Sequence, residues 1–376
     1  MNERILVTGA SGFVGCRVAE HLVLARGAAV RGTYHRAARA ARVAHLPIEL
    51  TRLDLADERS IAAAVEGCTA VVHCAYSYGR DLTGTATGRV AEAARRAGVE
   101  RFVHLSSVAV WGFDPGPGEV DESRPPALAG HPYVDGKIDS EQQVDAAATR
   151  GLQTVVLRPT NVYGPWSAIW TEAPARTLQA GEVALVGDGS TLANTVYVDN
   201  LVSAIALALD DPRLVGGTFV VNDDDGLTWR DLYDAYAHAA ASPLTVRSVP
   251  FEEWRAAALQ RGGVLRELRG LLRSPEAAAL VRAAAARPAL RRAGARAARV
   301  VPGGLDRARR IAAPGGPTSS SAGRAMALPS PELAAVQTSG ASYRAARLRA
   351  LGWEPAIGTA RALALTQEWL RWARLL

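Results

Sequence analysis

The strongest constraint on this chain lies in its first fifteen residues. Ile5–Thr8 is a short apolar run, and Thr8-Gly9-Ala10-Ser11-Gly12-Phe13-Val14-Gly15 follows it at once. The stretch Phe13–Arg26 after it reads as a helix. Three glycines between a strand and a helix permit a tight turn and a close backbone approach. A helix that starts this way offers N–H groups and a partial positive charge at its N-terminus. Such a loop cradles the pyrophosphate of a dinucleotide. A plain glycine-rich turn is the competing reading, and a place at the head of a strand–helix–strand unit argues against it.

The first 160 residues continue the alternation. Ala29–Tyr34, Ile48–Leu53, Ala70–Cys74, Arg101–Ser106 and Thr154–Leu157 read as strands, with helices over Arg36–His45, Arg59–Val65, Gly84–Ala97 and Tyr133–Ala148. This spacing predicts an α/β fold: a Rossmann-type doubly wound parallel sheet, here with a smaller C-terminal substrate lobe and an Ala/Arg-rich helical insertion. With 376 residues, 48% of them hydrophobic, the chain can bury a sizeable core. Residues 1–160 are expected to form the dinucleotide-binding domain, joined by later strands near 194–222. Residues 161–250 and 332–376 are expected to interleave as the substrate lobe, and 251–331 to form the basic insertion and a Pro/Gly/Ser linker.

The second strand ends Gly32-Thr33-Tyr34-His35-Arg36, without the carboxylate that would bind the ribose hydroxyls of NAD. Arg36 can instead pair with a 2′-phosphate, which favours NADP over NAD; a solvated helix-start arginine is the alternative. Asp54, after the third strand, can accept from an adenine amino group or serve as a turn or cap residue.

Tyr133-Val134-Asp135-Gly136-Lys137 places a phenol and an ammonium four residues apart, on one helix face. A nearby cation stabilises the phenolate and makes tyrosine a usable acid/base. Alone this spacing is weak. Its context is Arg101-Phe102-Val103-His104-Leu105-Ser106-Ser107-Val108-Ala109-Val110-Trp111-Gly112, a strand ending in two serines and a loop.

Together these stretches resemble the extended short-chain dehydrogenase/reductase superfamily, specifically the NAD-dependent epimerase/dehydratase family. The family's VxHxAA strand end matches Val71-Val72-His73-Cys74-Ala75-Tyr76, and LRPxNVYGP matches Leu157–Pro165. Gly187-Asp188-Gly189, Val196–Leu201, Leu351-Gly352-Trp353-Glu354-Pro355 and Trp369 follow its C-terminal pattern. The resemblance implies catalytic roles for Ser107 (Ser106 the fallback), Tyr133 and Lys137. It implies cofactor contacts at Gly9, Ser11, Gly12, Phe13, Val14, Gly15, Arg36, Asp54, Leu55, Ala75, Lys137 and Pro159. Asn161, Trp166, Asn194 and Tyr197 are the implied substrate contacts, each with packing as the alternative.

The implied chemistry is hydride transfer at a carbon bearing a hydroxyl or carbonyl, in a sugar nucleotide or related carbohydrate. Family dehydratases carry acidic residues directly after the serine. Val108 and Ala109 stand there and cannot titrate, leaving an epimerase or a reductase. The short stretch Ser77–Arg80, Asp81 in place of a usual asparagine, Trp111 in place of a tyrosine and Gly136 before Lys137 depart from the pattern. They keep open a reductase or dehydrogenase of a non-nucleotide alcohol or ketone. A non-catalytic NADP-binding regulator is the third reading, and retention of Ser107, Tyr133 and Lys137 argues against it.

The net charge of +6 is uneven: residues 251–313 hold fourteen arginines against five acidic residues. Trp254, Leu259, Leu265, Leu268, Leu271 and Leu272 lie among them. A basic amphipathic helix fits an anionic membrane surface; a solvated lid or a homodimer contact is the plainer reading. No reader motif points to nucleic acid. Three cysteines without CxxC spacing indicate neither a metal site nor a disulfide framework. A strand starting at residue 4 leaves no room for a signal peptide and no apolar run reaches membrane-spanning length, so a cytoplasmic enzyme is expected.

Overall fold

A computed structural model describes residues 4–76, 83–259 and 327–376. The chain divides into two compact units, Met1–Phe251 with Leu328–Leu376, and Glu252–Ala327. In the second unit the helix Phe251–Ala258, which begins one residue before it, is the described element. The basic segment expected over 251–313 lies mostly outside the described residues, with Leu265, Leu268, Leu271 and Leu272 among those not described. No helix of the described residues is long and apolar enough to cross a membrane.

The strands of the first unit, in chain order, are β1 (Arg4–Thr8), β2 (Ala29–Tyr34), β3 (Glu49–Arg52), β4 (Ala70–His73), β5 (Arg101–Leu105), β6 (Gly118–Val120), β7 (Thr154–Pro159), β8 (Asn161–Tyr163), β9 (Val183–Val186), β10 (Thr195–Tyr197), β11 (Thr218–Val221), β12 (Arg247–Val249) and β13 (Ala341–Tyr343). Seven of them form one parallel sheet in the order β11-β7-β5-β4-β1-β2-β3. The chain winds outward from β1 to β3, then returns to β4 on the other side of β1. That reversal opens a crevice at the carboxyl ends of β1 and β4, where Thr8 is in register with His73.

Period-two alternation sorts the strand residues onto two buried faces. Ile5, Val7, Val72, Val103 and Val155 pack with α1 (Phe13–Leu24) and the helix Val198–Asp210. Leu6, Val71, Phe102 and Val156 pack with α3 (Glu58–Val65), α4 (Thr83–Arg96) and α5 (Pro132–Ala148). Each fully buried Leu, Ile or Phe contributes about 1.5–3 kcal/mol relative to exposure.

Of the two later strands, β11 lies in this sheet beside β7, whereas β10 does not. β10 pairs with β8, because the polypeptide leaves the sheet after Pro159 and runs on as a second short strand. The helix expected over Arg36–His45 is also shorter: α2 spans Ala37–Ala40. Beyond it the N–H groups of Val43 and Leu46 bond carbonyls three residues back, which turns both side chains into the core.

α4 and α5 approach unusually closely. A Cβ at Gly84 would stand 2.5 Å from Asp139 Cβ, one at Gly88 2.7 Å from Gln143 Oε1, and one at Gly136 3.2 Å from Thr83 Cβ. At Gly136, before Lys137, Thr83 leaves only a tight fit for a side chain.

Candidate active site

The glycine loop has the geometry of a phosphate cradle. Gly9 adopts φ +67°, a conformation that favours glycine, and a Cβ there would sit 2.9 Å from Ala75 Cα. A Cβ at Gly15 would meet Gly9 O at 2.3 Å, so α1 rests directly on the loop. At Gly12 an added Cβ would touch only Gly9 O, at 3.1 Å, and otherwise enter open space. Gly12 is the N-cap of α1 and no side chain caps the helix. The backbone of Phe13, Val14 and Gly15 thus opens that helix onto the crevice, which fits a pyrophosphate. Ser11 is tied to β2 through its N–H on Thr33 O, at 3.4 Å. The Phe13 ring packs into the C-terminal lobe and Val14 against the sheet.

Thr8, not anticipated as a site residue, knits the crevice together. Its hydroxyl accepts from Ala75 N–H (3.2 Å) and lies 2.9 Å from His73 Nδ1, while His73 Nε2 lies 3.2 Å from Thr87 Oγ1. Burial first, and the Lys137 charge second, push the His73 imidazole down to about 3, so it is neutral at any working pH. Arg36 is exposed at the carboxyl end of β2, and Asp54 and Leu55 are half-buried after β3. Asp54 Oδ1 accepts from Ala56 N–H at 2.9 Å, a turn role for one of its two oxygens. Pro159 is the buried last residue of β7.

Lys137 is 8% exposed. Its Nζ donates to the Leu105 carbonyl at 2.7 Å and lies 5.4 Å from the centre of the Tyr76 ring. The half-buried Tyr133 ring meets the same Tyr76 ring edge-on, 5.4 Å between centres. The phenol and the ammonium therefore share one side of α5, as the four-residue spacing predicts. Burial lowers the Lys137 ammonium to about 8, and the charge of Glu141, one turn along, opposes that fall. At neutral pH the amine stays mostly cationic.

A count of the sequence would have singled this residue out. Among 43 basic residues Lys137 is the one lysine of the chain. The other basic residues are arginines, and here the chain carries a compact, titratable ammonium.

The two serines separate clearly. Ser106 is buried and its hydroxyl donates to Glu141 Oε1. Glu141 also accepts two bonds from Arg158, at 2.9 and 2.6 Å, and the guanidinium stacks on Trp111 at 4.7 Å. Ser107 is half-buried, and its Oγ accepts from Ala109 N–H (3.1 Å), capping the short 3₁₀ turn Val108–Trp111. The hydroxyl hydrogen of Ser107 remains available to a ligand oxygen. Ser106, turned into the interior, has no such freedom.

The four residues expected at the substrate fall into two pairs, Asn161 with its N–H on the Asn194 carbonyl at 3.0 Å, and Trp166 with Tyr197 in one cleft. Asn161 Nδ2 donates to Ala193 O at 2.7 Å. The Asn194 amide is committed at both ends, donating to Ala341 O (3.0 Å) and accepting from Tyr343 N–H (3.2 Å), so it holds β13 in place. Trp166 and Tyr197 line a cleft of about 920 Å³ with Arg17, Arg42 and Trp369. Trp166 adopts φ +72° and carries Arg42 over its ring at 4.7 Å. None of Ser107, Tyr133 and Lys137 lines that cleft.

The model of the NAD dependent epimerase/dehydratase family matches residues 5–222, more than half the chain. The chain belongs to that family. Among curated relatives, a 2-alkyl-3-oxoalkanoate reductase of Stenotrophomonas maltophilia is 29% identical over 72% of this chain and 84% of its own length. A UDP-glucose 4-epimerase of Mycolicibacterium smegmatis is 31% identical over 64% of this chain and 83% of its own. Among solved structures, the UDP-glucose 4-epimerase of Thermus thermophilus in complex with NAD superposes with a TM-score of 0.64, covering 98% of this chain and 99% of that one at 22% identity. The family consists of enzymes that act with a nicotinamide dinucleotide on small molecules, and the parallel seven-stranded sheet is its fold.

Proposed function

We propose that this enzyme interconverts a secondary alcohol and its ketone, with Tyr133 moving the hydroxyl proton, Lys137 holding the phenol in a reactive state and Ser107 holding the substrate oxygen. The observation that carries this is the setting of Lys137: the one lysine, buried, fixed on the Leu105 carbonyl and facing the same ring as Tyr133.

A free tyrosine titrates near 10 and is a poor base at neutral pH. A cation beside it favours the phenolate and lowers that barrier. When the substrate is a ketone the phenol donates to the oxygen, and when it is an alcohol the phenolate accepts. The Ser107 hydroxyl stabilises the oxygen while its charge changes. A bound nicotinamide dinucleotide supplies the hydride acceptor or donor. Gly9, Gly12 and the start of α1 would hold its pyrophosphate, and the exposed Arg36 favours a 2′-phosphate and hence NADP.

The favoured substrate is a sugar nucleotide or related carbohydrate, supported by the relatedness to a UDP-glucose 4-epimerase. Val108 and Ala109 leave no acid for dehydration, so epimerisation or reduction is the outcome. A second reading, reduction of a non-nucleotide ketone, is supported by the alignment with a 2-alkyl-3-oxoalkanoate reductase over most of its length.

Turnover of a sugar-nucleotide and ketone panel tests these readings. Cofactor retained through purification, with no net absorbance change on turnover, marks epimerisation; stoichiometric NADPH consumption marks reduction. Tyr133→Phe is expected to lower kcat by about 10²–10⁴-fold, the range of general acid–base catalysis. Activity within tenfold of wild type would refute the assignment. Arg36→Ala is expected to weaken NADPH about tenfold while leaving NADH unchanged, the loss of roughly one charge-assisted contact. An unchanged NADPH/NADH ratio would refute the NADP preference.

A further inference from the structure

Tyr76 stands where the VxHxAA strand end of the family has a small alanine. Its ring lies between the two members of the reacting pair: 5.4 Å from the Lys137 ammonium and 5.4 Å, at 61°, from the Tyr133 ring. The backbone that carries it is anchored, because the preceding Ala75 N–H is held by Thr8. We propose that Tyr76 is a positioning residue for the pair, its π face keeping the Lys137 ammonium in place and its edge contact fixing the orientation of the Tyr133 ring. The proposal rests on the reading of Tyr133 and Lys137 as the reacting groups.

The surroundings of Lys137 show why an aromatic face matters. Glu141, on the same helix, adds a favourable charge, but Arg158 and Ser106 already engage its oxygens. His73 at the end of β4 and His104 on β5 are both held neutral by burial. The Cys74 thiol is pushed up to about 12 and is neutral too. Tyr133, one turn before Lys137 on α5, meets the same Tyr76 ring. Among the described residues, the groups that meet the buried cation at close range are the Leu105 carbonyl and the Tyr76 ring. A cation over a tyrosine face is attracted by the ring quadrupole, more strongly where water is excluded. Alanine at this position would offer neither contact.

Because the chain has one lysine, labelling with lysine that carries ¹³C at its ε carbon gives a single signal whose pH titration reads Lys137 directly, without cofactor or substrate. The wild type is expected to titrate at about 8. Tyr76→Phe, which keeps the ring, is expected to titrate at the same pH. Tyr76→Leu and Tyr76→Ala are expected to titrate about 0.5–1 pH unit lower, the worth of a partly desolvated cation–π contact. The alkaline limb of kcat for ketone reduction should move down by the same amount. An unmoved lysine titration in both ring-deleting variants overturns the proposal, as does a shift in Tyr76→Phe equal to theirs. Failure of the underlying reading is distinguishable: Lys137→Met would then keep its activity, whatever the titrations show.

Discussion

Lys137→Met separates the chemistry of this site from its stability. The ammonium is 8% exposed and titrates at about 8 instead of 10.5. At about 1.36 kcal/mol per pH unit, holding it charged in the folded protein costs about 3 kcal/mol. The unfolded chain binds this proton more tightly than the folded one. The cost is therefore fully present below pH 8 and fades as pH rises toward 10.5. Methionine keeps an unbranched stem one atom shorter and carries no charge, but it leaves the Leu105 carbonyl without its 2.7 Å donor, a loss of about 1–3 kcal/mol. At pH 7 the variant should be more stable than wild type by about 1 kcal/mol, and at pH 10 less stable by about 1 kcal/mol, while lacking activity throughout. Urea denaturation of both proteins at pH 7, 8, 9 and 10 measures the difference, and groups common to both cancel. A stability difference that stays constant across this range would refute the account of Lys137 as a charge buried at a cost.

Two further substitutions probe the frame around the pair. Gly15→Ala places a Cβ 2.3 Å from Gly9 O and 2.8 Å from Gly9 C, both backbone atoms that cannot swing aside. Dinucleotide affinity by calorimetry should fall at least about tenfold as α1 lifts off the loop, and unchanged affinity would show that the contact is not limiting. Glu141→Gln keeps the size of the side chain and leaves Arg158 as an uncompensated buried charge. It should lose about 3–5 kcal/mol in denaturant unfolding, and a loss below about 1 kcal/mol would mean that water reaches the pair.

The frame was legible wherever local chemistry decides the outcome. Gly9, Gly12 and Gly15 declare a loop because turn geometry acts over a few residues. β1 and β4 declare themselves because both of their faces are buried and their residues are continuously apolar. The choice between Ser106 and Ser107 was not local. It turns on Glu141, which accepts from Ser106 from a helix far along the chain and is itself held by Arg158 from β7. The same holds for Asn194, whose amide is consumed by β13, and for the pairing of β13 with β6. A two-residue alternation says that one serine faces in and the next out, but the partner that awaits the inner one comes from the fold. Tyr76 passed in the sequence as the last residue of a matching strand end, and only the placement of two other side chains against its ring gives it meaning.

The close approach of α4 and α5 has a mechanical consequence. Gly84, Gly88 and Gly136 let side chains of the opposing helix fit against bare backbone, so the two helices mesh like gear teeth. Neither can roll about its axis without driving Asp139, Gln143 or Thr83 into a main chain. Tyr133 and Lys137 ride on the meshed helix, so their bearing toward the crevice is set by this interlock and does not depend on a ligand to arrange it. Adding one methyl group at Gly84, 2.5 Å from Asp139 Cβ, would act as a shim, tilting α5 and swinging both side chains out of line with nothing at the site itself altered.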